Sequence, residues 1–287
     1  MFDRRSPEER RAERRRAREI AHEAARARGE TSLTRLPTEG LGTGGILHAV
    51  LQKIRELAPE LRGDYLDVGS GNGELIDRVV REFRVTPRAC DYRDDLLALD
   101  GVTVDVANLN AEPLPYPDAS FDLVTCTEVI EHLEDFRAAL REMARVLRPG
   151  GVLIVTTPNV LNLRSRLRYL LFGFFNMFGP LPLGDDRHHS TYGHINPVAY
   201  FYLAHALSGA GLTDITVAVD KRQRRSLVSL ALLWLPIRLF SAIAMHREKR
   251  EKRRTLDENN EQFVRAMNSN DMLLGRTIVV GCRKPTL

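Results

Sequence analysis

Residues 65–75 read YLDVGSGNGEL, an apolar run interrupted by Asp67, a turn carrying Gly69, Gly71 and Gly73, and the start of a segment, ELIDRVVREF, with helical spacing. This is a strand, a glycine-rich turn and a helix in immediate succession. Glycine lets the backbone turn sharply and lets a ligand approach the chain without meeting a Cβ. The spacing separates two ligand classes. A nicotinamide dinucleotide fingerprint requires its third glycine at position 74, which is Glu74. Asp67, just before the turn, is an unsuitable charge beside a pyrophosphate and a suitable one beside an ammonium or sulfonium.

Outward from this turn, the chain from Asp64 to about Asp220 alternates β-type and helical runs. RACDY is followed by RDDLLAL, VTVDV by a turn, and FDLVTC by EDFRAALREMARVL, while GGVLIVTTP comes after a Pro-Gly turn. Such alternation argues for a parallel sheet covered on both faces. The stretch ILHAVLQKIRELAPEL reads as an amphipathic helix ahead of the first strand. NPVAYFYLAHALSGAG reads as a later one, with Asn196 as N-cap, Pro197 in the first turn and Gly211 as stop. LTDITVAVD and RTIVVGCRK bring the strand count to seven. Asp91 falls at the end of the second strand, where a carboxylate can take both hydroxyls of a ribose.

The 287 residues, 43% of them hydrophobic, suffice for one large α/β domain with insertions. Three widely separated cysteines, Cys90, Cys126 and Cys282, indicate neither a disulfide framework nor a zinc knuckle, and a reducing cytoplasm fits them. The first thirty residues hold ten Arg and seven acidic residues, a mixed-charge pattern unlike a secretory signal and suited to an exposed helix. Net charge is +4, yet residues 221–254 carry eleven Lys or Arg against two Glu, a local +9, which leaves about −5 for the rest. An anionic partner should therefore meet that segment.

The blocks LDVGSGNG, ACDY, LPYPDASFDLVTCTEVIEHL and REMARVLRPGGVLIVTTPN, in this order, resemble the class I S-adenosylmethionine-dependent methyltransferases. The resemblance runs from about Ile46 to Asp220 and includes the last strand. It implies a Rossmann-like, mostly parallel seven-stranded sheet with an antiparallel last strand, helices on both faces, and the cofactor across the carboxyl ends of the first strands. Carried over by position, Asp67, Gly69, Gly71 and Gly73 line the methionine end, Asp91 takes the ribose and Tyr92 the adenine face. Asn108 or Asn110 approaches the adenine amine, where the family more often has Asp, and Thr127 closes the pocket.

Residues 127–135, TEVIEHLED, place Glu128, Glu131 and His132 at i, i+3 and i+4 just past a strand. In a helical segment these would share one face. Taken alone, the nonapeptide is compatible with a solvated helix start, a general base or a metal site. In the fold implied above it opens beside the reactive methyl group. His132, with Glu131, is then a candidate for removing a proton from a hydroxyl acceptor. The spelling EVIEH is similar to the ubiquinone-pathway O-methyltransferases and to the small-RNA 3′-end 2′-O-methyltransferases, where two Glu and a His resemble a metal-ligand set. That similarity implies a further histidine downstream; DDRHHSTYGHINP supplies His188, His189 and His194, of which His194 is preferred. Oxygen and imidazole ligands suit Mg²⁺, Mn²⁺ or Zn²⁺.

The expected organisation is a charged N-terminal helix over 1–35, a methyltransferase domain over 36–220 and 273–287, a lid-like insertion over 160–195, and a basic and apolar insertion over 221–272. The lid-like insertion has a basic start and an apolar cluster, Phe172, Phe174, Phe175, Met177 and Phe178, suited to the underside of a lid. The other contains a nineteen-residue apolar stretch, Leu227 to Met245, interrupted by Pro236 and Arg238 and flanked by basic clusters. Basic residues at both ends argue against a span and for an element lying in the interface of an anionic membrane, or for a protein contact. This part loosely resembles methyltransferases associated with bacterial surface polysaccharide and lipid-linked intermediates.

The expectation is an S-adenosylmethionine-dependent O-methyltransferase acting on a small-molecule or lipid-linked hydroxylated acceptor, such as a glycan, lipid or quinone precursor. It would be cytoplasmic, peripheral at the inner face of the membrane. The alternatives are an RNA 2′-O-methyltransferase, against which the lack of a recognisable RNA-binding module counts, and a non-catalytic scaffold of the same fold binding membrane or nucleic acid, against which the complete glycine turn and Asp91 count.

Overall fold

A computed structural model describes residues 44–181, 193–250 and 255–286. The expected charged helix over 1–35, His188 and His189 lie outside the described residues.

Seven strands form one sheet: β1 (Arg62–Val68), β2 (Arg84–Asp91), β3 (Val104–Val106), β4 (Phe121–Thr127), β5 (Leu147–Pro158), β6 (Thr213–Val219) and β7 (Thr277–Arg283). Their order is β3-β2-β1-β4-β5-β7-β6, with β7 antiparallel to both neighbours and the pairs from β3 to β5 parallel. The chain leaves β1 towards β2 and β3, then returns to place β4 on the other side of β1. That reversal opens a crevice at the carboxyl ends of β1 and β4, where sheets of this kind bind ligands.

Both faces of the sheet are covered, which is why the central strands read as nearly unbroken apolar runs. Successive side chains of a strand point to opposite faces. Tyr65 and Leu123 therefore join Ile46, Val50, Ile54, Ile76 and Val79 of α1 (Gly44–Leu57) and α2 (Glu74–Glu82). Leu66 and Val124 join Leu140, Met143, Leu203 and Leu207 of α3 (Phe136–Val146) and α5 (Tyr200–Gly209) on the other side. Helix α4 (Leu163–Phe172) lies between β5 and α5 in sequence, its first turn capped by Asn162, whose side chain accepts from the Ser165 amide at 2.9 Å.

Three local expectations are corrected. RDDLLAL is not helical: residues 94–96 form a bend within an irregular segment, the Arg93 guanidinium binds Asp95 at 2.8 Å, and Leu97 and Leu99 pack over Gly73. Packing at the start of α2 overrides a helical pattern too short to sustain itself. Asn196 does not cap α5, which follows Ala199; its carboxamide instead donates to the Leu133 carbonyl at 3.0 Å. Pro236 does not interrupt the apolar stretch, which forms one helix, α6 (Leu227–Arg250). After α6 the chain turns back through α7 (Glu261–Ala266) and α8 (Asn270–Leu274), and Met272, Leu273 and Leu274 are buried against the domain before β7 begins.

Candidate active site

A cavity of about 930 Å³ opens at the carboxyl ends of β1, β2 and β4. Its wall includes Asp67, Gly69 and Gly71 from the first turn, Asp91 and Tyr92 from the second, and Asn108, Asn110, Thr127, Glu128, His132 and His194. Gly73 is not part of that wall: it is tucked behind, and a Cβ there would lie 2.6 Å from Leu99.

The glycines are required for different reasons. All three have positive φ, 75°, 51° and 84° in order, which side chains rarely tolerate. A Cβ on Gly69 would lie 2.1 Å from Val129, so this glycine lets the TEVIEH segment close over the turn. A Cβ on Gly71 would meet no protein atom within 4 Å. What it would occupy is cavity, and the Gly71 amide beneath donates to Asp91 Oδ2 at 2.9 Å. Asp91 Oδ1 accepts from the Arg93 amide at 3.1 Å, so the carboxylate is held from two sides with acceptor capacity left on both oxygens.

Asp67 is buried, and its Oδ1 accepts from the Thr125 hydroxyl at 2.6 Å. Thr125 has one proton to give, so the Tyr65 hydroxyl, 2.8 Å away, donates to Thr125. Burial, reinforced by the charge of Asp91, pushes the Asp67 carboxyl up to about 7. A cation brought to this end of the cavity would favour its ionised form. Tyr92 is 56% exposed at the cavity edge, and Asn108 is turned into its own loop, its Oδ1 accepting from the Asn110 amide at 3.1 Å. Thr127 presents a buried hydroxyl with no hydrogen-bond partner among the described residues.

Glu128, Glu131 and His132 do not share a helical face. Glu128 has φ +55° and only Ile130–His132 form a single 3₁₀ turn. Glu128 therefore reaches back to the end of β5, where its Oε1 accepts from the Thr156 hydroxyl at 3.0 Å. Burial pushes its carboxyl up to about 7, and the Arg276 charge opposes that. Glu131 is fully buried and accepts from the Thr157 hydroxyl through Oε2 at 3.1 Å. Burial and the neighbouring Glu128 charge hold the Glu131 carboxyl well above the usual range.

The three groups that come together are Glu131, His132 and His194, each offering a ligand atom, with those atoms within 4.8 Å of one another. Two loops are tied to make this happen: the Glu131 carbonyl accepts from the amides of Ile195 and Asn196, both at 2.9 Å. His132 Nδ1 lies 2.8 Å from the Gly193 carbonyl oxygen. Burial lowers the pKa of His132, and that of His194, which also faces His132, falls to about 4. Glu131 Oε1 and His194 Nδ1 are buried with no hydrogen-bond partner among the described residues. Buried polar atoms ordinarily find a partner, and these two lie in the same cluster. A divalent cation suits this donor set; ligands about 2.1 Å from one ion stand at most about 4.2 Å apart, so the three side chains would draw in slightly around it. Glu128 is outside the group.

Arg276, which was not singled out from the sequence, arrives from just before β7, and Met177 of the lid-like insertion, at φ +69°, from the loop after α4. Only the fold brings Arg276 to the cavity; a single Arg before a strand carries no signal of its own.

The comparisons agree with this architecture. Residues 66–155 match the family model described as "Methyltransferase domain". A probable S-adenosylmethionine-dependent methyltransferase of Mycobacterium tuberculosis is 41% identical over 112 residues, 37% of this chain and 39% of that protein. The ubiquinone/menaquinone biosynthesis C-methyltransferase of Enterobacter sp. (strain 638) is 37% identical over 101 residues, 31% of this chain and 40% of that protein. The chain thus spans about two-fifths of the length of these curated relatives. Among solved structures, an S-adenosylmethionine-dependent methyltransferase from Archaeoglobus fulgidus aligns with a TM-score of 0.51 at 16% identity, covering 83% of this chain and 94% of that one, a likeness of fold. The chain is thus similar over residues 66–155 to S-adenosylmethionine-dependent methyltransferases, and carries its glycine turn on a seven-stranded sheet. Its similarity extends to enzymes of the quinone pathways.

Proposed function

We propose that the protein transfers a methyl group from S-adenosylmethionine to a hydroxyl oxygen of an amphiphilic acceptor, such as a glycan, a lipid-linked sugar or a quinone precursor. The observation that carries this reading is that one cavity is lined both by Asp67, Gly69, Gly71 and Asp91 and by His132 and His194. The first set suits a sulfonium nucleoside: Asp91 can take the ribose hydroxyls, Gly71 leaves room for the ligand, and Asp67 offers a negative charge beneath the cationic end. Tyr92 and Asn108 would border the adenine, and Thr127 would close the pocket over it.

The second set suits an oxygen acceptor. Methyl transfer is an in-line displacement in which the C–O bond forms as the C–S bond breaks, so the enzyme must hold the two reactants in line. The hydroxyl proton must also leave: with no ion bound, neutral His132 can accept it on Nε2, because Nδ1 is engaged by Gly193, whereas with an ion on the Nε2 lone pair the proton passes to solvent. The two orphaned atoms on Glu131 and His194 support a resident divalent cation of the Mg²⁺, Mn²⁺ or Zn²⁺ class. When bound there, such an ion would lower the pKa of an acceptor hydroxyl and orient it. The apolar part of the rim, Leu109, Leu133 and Met177, suits an acceptor with a greasy portion.

The test has two stages. Calorimetry with S-adenosylmethionine should show saturable binding; nicotinamide dinucleotide binding in its place would overturn the cofactor assignment. Cell extract incubated with methyl-labelled donor should then yield a labelled methyl ether. A product labelled at carbon would instead align the enzyme with the C-methyltransferase relative.

A further inference from the structure

Helix α6 has 24 residues, none of them buried, and the segment Arg224–Arg250 is long and apolar enough to cross a membrane by length and composition. Its attachment to the domain shows how it is oriented. Ser229, Leu233, Ile237, Ser241 and Met245, at four-residue spacing, and Leu230 beside them are the partly covered positions. Asn268 donates to Ser241 Oγ at 3.0 Å, Trp234 donates to Asn270 at 3.3 Å, and Lys249 pairs with Glu261 at 2.6 Å. One side of the helix is thus fastened to the domain along its length, which suits a helix lying at a surface rather than one passing alone through a bilayer.

The opposite side carries Val228, Leu232, Leu235, Leu239 and Ile243, all exposed, with Leu232 at 73%. These positions, at i, i+4, i+7, i+11 and i+15, form one continuous stripe. Exposed basic residues stand at both ends: Arg224 and Arg225 before the helix, Arg247 and Arg250 in its last turn. The same anchor reaches α4, because Arg166 donates to Asn268 Oδ1 at 2.8 Å. Leu170, one turn beyond Arg166, and Leu171, 82% exposed, are further exposed apolar residues, on the segment that leads to the cavity-lining Met177.

We infer that the outer stripe of α6, together with the exposed end of α4, is a docking surface for an anionic lipid bilayer, on which the helix lies in the interfacial plane. Charge decides between a bilayer and a second copy of this chain. Both ends of α6 are basic, so two such helices packed along their stripes would bring like charges together whether they ran parallel or antiparallel. An anionic surface meets the apolar stripe and both clusters at once. The inference is independent of which acceptor is methylated.

Flotation of the full-length protein with phosphatidylcholine vesicles, with and without phosphatidylglycerol, tests it. Binding is expected to the anionic vesicles, far less to the neutral ones, and should fall as salt rises above physiological strength. Arg224→Gln with Arg225→Gln should lower partitioning by about tenfold or more. Leu232→Glu with Leu239→Glu should abolish it while S-adenosylmethionine titrates as in the parent, which separates failure of this surface from failure of the methyltransferase reading. Equally poor flotation with both vesicle types would overturn the inference. So would a sedimenting dimer that these Glu substitutions convert to monomer without any vesicle binding.

Discussion

His132 Nδ1 lies 2.8 Å from the carbonyl oxygen of Gly193, a contact that fixes which nitrogen carries the proton. A carbonyl only accepts, so Nδ1 donates and the lone pair of the neutral ring resides on Nε2. Because Gly193 directly precedes His194, the same contact also holds the second imidazole in place, edge-on to the first with ring centroids 4.8 Å apart. Orientation of a ligating or basic histidine by a backbone carbonyl is a recurrent device. Here it joins two segments sixty-one residues apart.

His132→Ala or Glu131→Gln should weaken binding of Mn²⁺, used as a probe, by about ten- to a hundredfold or more. Glu128→Gln, which alters a residue outside the cluster, should change it much less. Calorimetry in a chelator-treated preparation gives the comparison directly. Methyl transfer that survives exhaustive chelation at full rate would leave His132 acting as a base without an ion.

Asp91→Ala removes the acceptor of the Gly71 and Arg93 amides and the group offered to a ribose. Loss of hydrogen bonds to a charged group amounts to about 1.5–3 kcal/mol. Affinity for S-adenosylmethionine should accordingly fall by about ten- to a hundredfold, and Asp91→Asn should lie between the two.

Asp67 confers a pH dependence. Its carboxyl, pushed up to about 7, is neutral at lower pH and ionised above. A cationic donor prefers the anion, so S-adenosylmethionine affinity should rise with pH through about 7, by up to about tenfold per unit below that point. The dependence should be much weaker for S-adenosylhomocysteine, which lacks the sulfonium. In the ligand-free protein the sign reverses. A raised folded-state pKa gives stability that is complete below the unfolded value of about 4 and is lost as pH rises through about 7. Asp67→Asn should therefore raise the melting temperature at pH 8 more than at pH 5.

Gly69→Ala places a methyl group 2.1 Å from Val129 at a backbone φ of +75°. Strain and overpacking of this kind cost about 1–3 kcal/mol each, so the midpoint of urea unfolding should drop clearly. Gly71→Ala meets no protein atom. It should be milder in stability, near the 1–2 kcal/mol of a left-handed residue, but as damaging to donor binding.

Periodicity and turn chemistry are local properties, and they account for what the sequence determined by itself. The seven strands, the glycine turn at the end of the first of them, and Asp91 at the end of the second could all be read from short stretches, because each depends on neighbours within a few residues. The resemblance carried by those blocks led to the class of enzyme, and the match over residues 66–155 supports it.

Only the tertiary structure decided how the TEVIEHLED triplet divides. A positive φ at Glu128 and a single 3₁₀ turn send Glu128 to Thr156 and Glu131 to Thr157, on two successive residues of β5. The partner that completes the cluster, His194, comes from a distant loop held by the Glu131 carbonyl. The 24-residue helix α6 followed the same rule: its composition announced an apolar element, but which side faces outward was set by Asn268 and Asn270, far along the chain. Local sequence fixes backbone preference within a few residues, whereas the direction of a buried or half-buried side chain is fixed by whichever partner the fold brings against it.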